Sequence, residues 1–192
     1  VKFRLATGNA GVMAATNEAV AAAQFPMLLW VFGAVAALCL LTFRSFAATL
    51  CILLPLGLAS LLAYALMALL EIGLKVGTLP VVALGVGIGV DYGIYIYSRF
   101  AALRRPGRSL RETYEDALAI TGNGVLFTGL TLGLAVATWV LSSLKFQADM
   151  GILLVFLFVM NMIGAIVLLP ALAHFLVGEP KPGKDPEPKP AR

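Results

Sequence analysis

One carboxylate sits in the middle of an apolar, glycine-studded run, Leu84-Gly85-Val86-Gly87-Ile88-Gly89-Val90-Asp91-Tyr92-Gly93-Ile94-Tyr95-Ile96-Tyr97-Ser98-Arg99. An ionisable side chain at the centre of a membrane span costs about 2.5–3.5 kcal/mol or more, so its default reading is a functional group lining a protein interior or a wet pathway. The apolar segments of the chain contain no Lys or Arg that could pair with Asp91. A carboxylate in low dielectric without a cationic neighbour takes up a proton more readily than one in water, which suits reversible protonation. Tyr92 follows at once in sequence but about 100° around a helix, where it can form a second wall of the same site. Asp91 and Tyr92 are the candidate proton relay.

The surrounding glycines fall into a pattern. Gly85, Gly89 and Gly93 lie about 40° apart per step along one stripe of a helix, a tandem spacing of small residues that lets a neighbouring helix approach closely. Asp91 points about 160° away from that stripe, with Gly87, Tyr95 and Ser98 near its own azimuth. Both faces are therefore expected to meet protein, with Gly87 joining the other three glycines as a packing position. Asp91 precedes Ser98 by seven residues, which sets it about 10 Å from the end of the span. At matching depth on the next span lies Thr128, in a seam of small or polar residues spaced by threes and fours: Thr121, Gly124, Thr128, Thr131, Ala135, Thr138 and Ser142. The seam is expected to pack on the Asp91 face, with Thr128 and Thr131 nearest the carboxylate. Small residues of this kind also line membrane helix interfaces that do no chemistry. Asn161, midway along the last span, either supports the relay or makes an interhelical hydrogen bond of about 0.6–2 kcal/mol.

These residues need helices to carry them, and the composition supplies them. Of the 192 residues, 60% are hydrophobic and only 12% charged, and the mean hydropathy is +0.95, outside the range of soluble domains. The expected fold is an all-α membrane protein, a bundle of five transmembrane helices at about 25–43, 46–70, 77–98, 120–142 and 150–173, each long enough for a hydrocarbon core of about 30 Å. Residues 1–24 read as a lead-in: weak alternation over 1–7 suits the last strand of something larger, and the alanine-rich run that follows suits a helix feeding the first span. Ser109-Leu110-Arg111-Glu112 carries the capping-box pattern and predicts a short interfacial helix over 109–119. Residues 178–192, rich in proline and charge, predict a disordered tail.

Ten of the 14 Lys and Arg residues fall on one side of the five spans. The positive-inside bias therefore puts the tail in the cytoplasm and the N-terminus outside. The net charge of +4 is mostly this bias, and nothing in it suggests nucleic acid. Five spans with an exterior start require an exporting element upstream, so the chain is expected to be part of a longer protein. Cys39 and Cys51 lie near the cytoplasmic hairpin and read as reduced apolar packers. Pro55 is expected to kink the second span, and Pro170 to bend or loosen the end of the fifth.

Taken together, the Gly-Ile-Gly-Val-Asp91-Tyr92-Gly run, Ser98-Arg99-Phe100, Arg105-Pro-Gly-Arg-Ser109, Thr121-Gly122, Phe127-Thr128-Gly129-Leu130-Thr131 and Leu169-Pro170-Ala171-Leu172 resemble the resistance-nodulation-division (RND) superfamily, in its MMPL-type branch. The resemblance runs to about Val177. It implies two similar halves, with this chain supplying the end of the second extracytoplasmic porter domain and spans eight to twelve, in a bacterial cytoplasmic membrane. It implies that Asp91 and Tyr92 are proton-relay groups and that Thr128 and Thr131 support them. Drug-efflux members carry a lysine in the corresponding span; none is present here, which argues against that branch. The implied partners are protons, membrane lipids, a hydrophobic or amphiphilic substrate and the missing N-terminal half, and assembly as a homo-oligomer is left open.

The function so read is proton-motive-force-driven export of lipids or other hydrophobic compounds, without cofactor or metal. Two alternatives stand beside it: a sterol-sensing-like module that binds lipid without transporting it, and a structural membrane-assembly domain. An enzyme has little support, because there is one histidine, no nucleophile motif, no phosphate-binding loop and no cluster spaced for a metal.

Overall fold

The computed structural model describes residues 8–73, 78–104 and 109–177, and the described residues form helices joined by short turns. Five helical segments are long and apolar enough to cross a membrane: Gly11–Phe43, Phe46–Leu69, Pro80–Leu103, Leu110–Leu141 and Lys145–Leu176. Helix α1 spans Asn9–Phe43 without a break, so the alanine-rich lead-in and the first span are one helix with Pro26 inside it. The expectations for residues 1–7 and for the tail 178–192 lie outside the described residues.

Arg44 ends α1 in the left-handed conformation (φ 48°), its amide donating to the Leu40 carbonyl at 2.8 Å. Ser45 then caps α2 (Phe46–Leu69) by accepting from the Ala48 amide, so two residues suffice to reverse the chain. Helix α2 runs through Pro55 as one element. Helix α3 (Leu79–Leu103) carries Pro80 in its first turn, where the missing amide proton removes nothing from the ladder.

Ser109 caps α4 (Leu110–Ala137), its hydroxyl accepting from the Glu112 amide at 3.2 Å as the capping-box pattern requires. The separate interfacial helix expected over 109–119 does not exist as such. Nothing between Leu110 and Thr121 breaks the ladder, and the Thr121 hydroxyl bonds back to the Ala117 carbonyl at 2.6 Å, so the capped segment runs straight into the span. A tight turn at Thr138–Leu141 closes α4. The fifth span is α5 (Lys145–Ile163), a wide turn at Gly164–Leu168 and α6 (Leu169–Val177). The loosening expected near Pro170 is this wide turn.

Helix α3 is central, packing against α1, α2, α4 and α5. One apolar cluster gathers Cys39, Cys51, Ile96, Phe100 and Leu169 from α1, α2, α3 and α6, and both cysteines are buried free thiols within it. A second joins Met67, Val81, Leu153 and Leu157 at the opposite end. The glycine stripe of α3 makes the close contacts. A Cβ on Gly85 would lie 2.6 Å from Leu157 Cδ1, one on Gly93 would lie 2.9 Å from Ile52 Cγ2, and one on Gly89 would strike the Asn161 amide and lie 2.7 Å from Leu56 Cδ1. Gly87 is outside this contact: it is exposed, and a Cβ there would meet nothing within 4 Å.

Two stability measurements follow from this packing. Gly89→Ala should destabilise the purified protein in detergent by about 1–3 kcal/mol, the usual cost of overpacking, whereas Gly87→Ala should be neutral or stabilise by up to about 1 kcal/mol through helix propensity. Equal effects of the two in a denaturation titration would contradict the assignment of the packed face. Asn161→Leu, which removes an interhelical hydrogen bond, should lower stability by about 0.6–2 kcal/mol in the same assay.

Candidate functional site

With the glycine stripe of α3 turned to α2 and α5, helical geometry turns Asp91 to the other side. There Ile88, Asp91, Tyr92 and Tyr95 of α3 face Gly124, Val125, Thr128 and Leu132 of α4 across a cavity of about 410 Å³. The cavity opens at the outer surface of the five helices, and Asp91, Tyr95, Gly124 and Thr128 on its rim are exposed in the chain taken alone. The covering of Asp91 by protein that the sequence suggested is therefore not supplied by these five spans. Tyr92 forms the inner wall. It is only 3% exposed, and its hydroxyl has no hydrogen-bond partner among the described residues.

The seam on α4 divides. Gly124 and Thr128 line the cavity with Asp91, while Thr131 is exposed and is not among the lining residues. The rotation of α4 explains the division. Its buried stripe is Val125, Gly129 and Gly133, and Gly129 lies so close to α5 that a Cβ would be 2.6 Å from the Met162 sulfur. That contact aims the next stripe round, which holds Gly124 and Thr128, at the edge of α3.

Asn161 is brought to the other face of α3. Its side-chain amide donates to the Gly85 carbonyl at 2.8 Å, 76 residues away in sequence, and the residue is 3% exposed. It sits in the notch left by Gly85 and Gly89, across the helix from Asp91, and takes the interhelical hydrogen-bonding role of the two considered.

Below the carboxylate the groove continues. Tyr95 also bounds a second cavity of about 270 Å³, lined by Ser98, Arg99, Ala102 and Thr121. Among the described residues, no Lys or Arg lines the Asp91 cavity, and Arg99 lines the lower one. Tyr95, which helical periodicity places near the azimuth of Asp91, borders both cavities. The last span begins earlier than the 150–173 expected: α5 starts at Lys145 and buries Asp149 to 8% exposure. Among the described residues, no three His, Cys, Asp or Glu side chains converge as a metal site would require. What this arrangement brings together is a carboxylate and a phenol on the wall of a largely apolar cleft that opens at the outer surface of the five helices.

Known proteins with similar sequences extend this picture. The chain is 32% identical over 120 residues to a membrane protein of Methanocaldococcus jannaschii, an alignment covering 62% of this chain and 31% of that protein. It is 34% identical over 101 residues to a membrane protein of Streptomyces coelicolor, covering 53% of this chain and 14% of the relative. It is also 26% identical over 89 residues to the membrane protein YdfJ of Bacillus subtilis, covering 46% and 12%. The chain thus spans less than a third of the length of each of these curated relatives. A family model takes in almost all of it: residues 5–189 match the MMPL family, and with five membrane-spanning helices of the expected order the chain belongs to that family, the MMPL branch of the RND superfamily.

Proposed function

We propose that this multi-pass membrane domain is the second-half transmembrane unit of an exporter that uses the proton gradient to move lipids or other hydrophobic or amphiphilic compounds, with Asp91 as its proton-relay carboxylate. The observation that carries the reading is the position of Asp91: a carboxylate on a mostly apolar cavity between two membrane helices, with no cation among the described residues on its walls and a buried tyrosine hydroxyl beside it. Lipid cannot solvate such a group, so the open side of the cleft needs protein or water against it. The part of the longer protein outside this chain is the natural cover.

Charge drives the cycle in this scheme. Deprotonated, Asp91 favours whichever arrangement of α3 and α4 admits water to the cleft; protonated, it is neutral and tolerates a closed, dry contact. A ligand that binds one of two states better shifts their populations, and here the ligand is the proton. Each proton that crosses the full field contributes about 2.3 kcal/mol per 100 mV. Tyr92 and Thr128 supply hydroxyls that relay or orient, and Thr131, one turn beyond Thr128 and turned outward, would act only against a covering partner. The Lys and Arg asymmetry supports an exterior N-terminus and a cytoplasmic tail in a bacterial inner membrane.

A second reading has one observation in its favour. A cavity of about 410 Å³ is within the size range of small-ligand sites, so a lipid-binding module without transport would also use it. The two separate on protonation. In inside-out vesicles bearing the full-length protein, Asp91→Asn should reduce proton-driven movement of fluorescent phospholipid analogues to the level of vesicles without the protein. Thermal stability in detergent should stay close to the parent, since Asp91 is exposed on the rim of the cleft. Continued proton-dependent transport by Asp91→Asn would refute the relay role, and lipid binding indifferent to pH and to this substitution would favour the binding module.

A further inference from the structure

The fifth span does not cross as one α-helix. At Gly164–Leu168 the ladder widens, and the Leu169 amide reaches back five residues to the Gly164 carbonyl. Pro170 follows immediately and has no amide proton. In the four-residue register that proton would serve the Ile166 carbonyl, and in the five-residue register the Ala165 carbonyl. The change of register and the missing donor therefore coincide at the same two oxygens. Unsatisfied backbone groups are costly away from water, and membrane helices broken by proline need an outside donor.

The donor comes from another span. Tyr114, near the start of α4, donates its hydroxyl to the Ile166 carbonyl at 2.8 Å and lies 3.4 Å from the Ala165 carbonyl. The two halves of the fifth span are held differently on either side of this point. Above it, Asn161 is bonded to Gly85 of α3, Gly129 of α4 is packed on Met162, and Gly164 is packed so that a Cβ would lie 3.2 Å from Pro55 Cβ. Below it, α6 packs on α2, while a cavity of about 270 Å³ separates Pro170 and His174 of α6 from Phe100 of α3 and from Leu110 and Tyr114 of α4.

The geometry points to a hinge at Gly164–Pro170 latched by Tyr114: this hydroxyl takes the place of the proline's absent amide, fixes where α6 leaves the membrane, and keeps α6 from swinging across the cavity beneath it. The chemistry is one hydrogen bond made or broken, with no proton transferred. Tyr114 is a positioning residue, acting through the backbone of the fifth span. The inference is independent of the role given to Asp91.

Amide hydrogen exchange on the full-length protein in lipid nanodiscs tests it. Tyr114→Phe should speed exchange in 167–176 about fivefold, the worth of one net hydrogen bond, and leave 150–160 within twofold of the parent. Pro170→Ala restores a backbone donor, so the double variant should return 167–176 to the parent rate, an outcome that a general packing role for the tyrosine ring would not produce. Should Tyr114→Phe fail to fold, the double variant still decides: with the alanine amide in place of the hydroxyl it should fold and exchange at the parent rate over 167–176. Acceleration spread evenly over α5 and α6, or a double variant that fails to fold or exchanges as fast as Tyr114→Phe, would each overturn the latch.

Discussion

The fit of α5 and α2 into the glycine stripe of α3 governs the rest of the molecule. Gly85 and Gly89 leave a notch in which the Asn161 amide reaches a backbone carbonyl, and no residue with a Cβ would permit that approach without displacement. Because side chains on a helix are locked to one another in azimuth, seating the glycines also fixes the opposite face. Asp91 has no freedom to turn inward once Gly89 is against Leu56 and Asn161. A steric condition on one side of α3 thus sets the electrostatic character of the other.

The same reasoning accounts for a cleft, rather than a contact, beside the carboxylate. Helix α4 is drawn to α5 by glycines on both sides, with Gly129 against Met162 and with Gly151 of α5 against the Val136 carbonyl and Trp139 in the turn that closes α4. It therefore presents to α3 an edge that holds Gly124 and Thr128. Gly124 and Thr128 offer too little bulk to fill the space in front of Asp91, Tyr92 and Tyr95. An edge of leucines there would have closed the cleft and excluded water from the carboxylate. Small side chains serve two purposes on α4: on one stripe they admit a helix, and on the next they leave room.

That duality marks the limit of what the sequence discloses. The five spans follow from hydropathy, and the direction of Asp91 relative to the glycines follows from helical periodicity, since both depend only on residues near in sequence. Ser109 and Glu112 likewise declare a helix start locally. Which of two small-residue stripes on α4 would pack could not be read, because Gly and Thr look equally fit for either task until a partner helix is present; hence Thr128 lines the cavity and Thr131 does not. The partner of Asn161 depends on the register of α5 against α3, a relation between residues 76 apart. The continuity of α4 was hidden by a strong capping signal that marks where a helix begins and says nothing of where it ends. From sequence the last span reads as starting at 150, because a hydropathy limit stops at the charge of Asp149, whereas burial against neighbouring helices keeps that residue within α5.

Two prolines pose the same chemical problem in this bundle and receive different solutions. Pro55 interrupts the ladder of α2, yet that helix continues, and the ring of the proline lies against Gly164 at the first residue of the widened turn in the fifth span. Pro170 interrupts the ladder just below, and there the helix changes register and accepts a hydroxyl from α4. The rigid ring of one proline therefore braces the point at which the other loosens its helix. A break braced on one side and bonded on the other confines bending to a single turn, which gives the fifth span a defined joint without surrendering the close packing of Asn161 and Met162 above it.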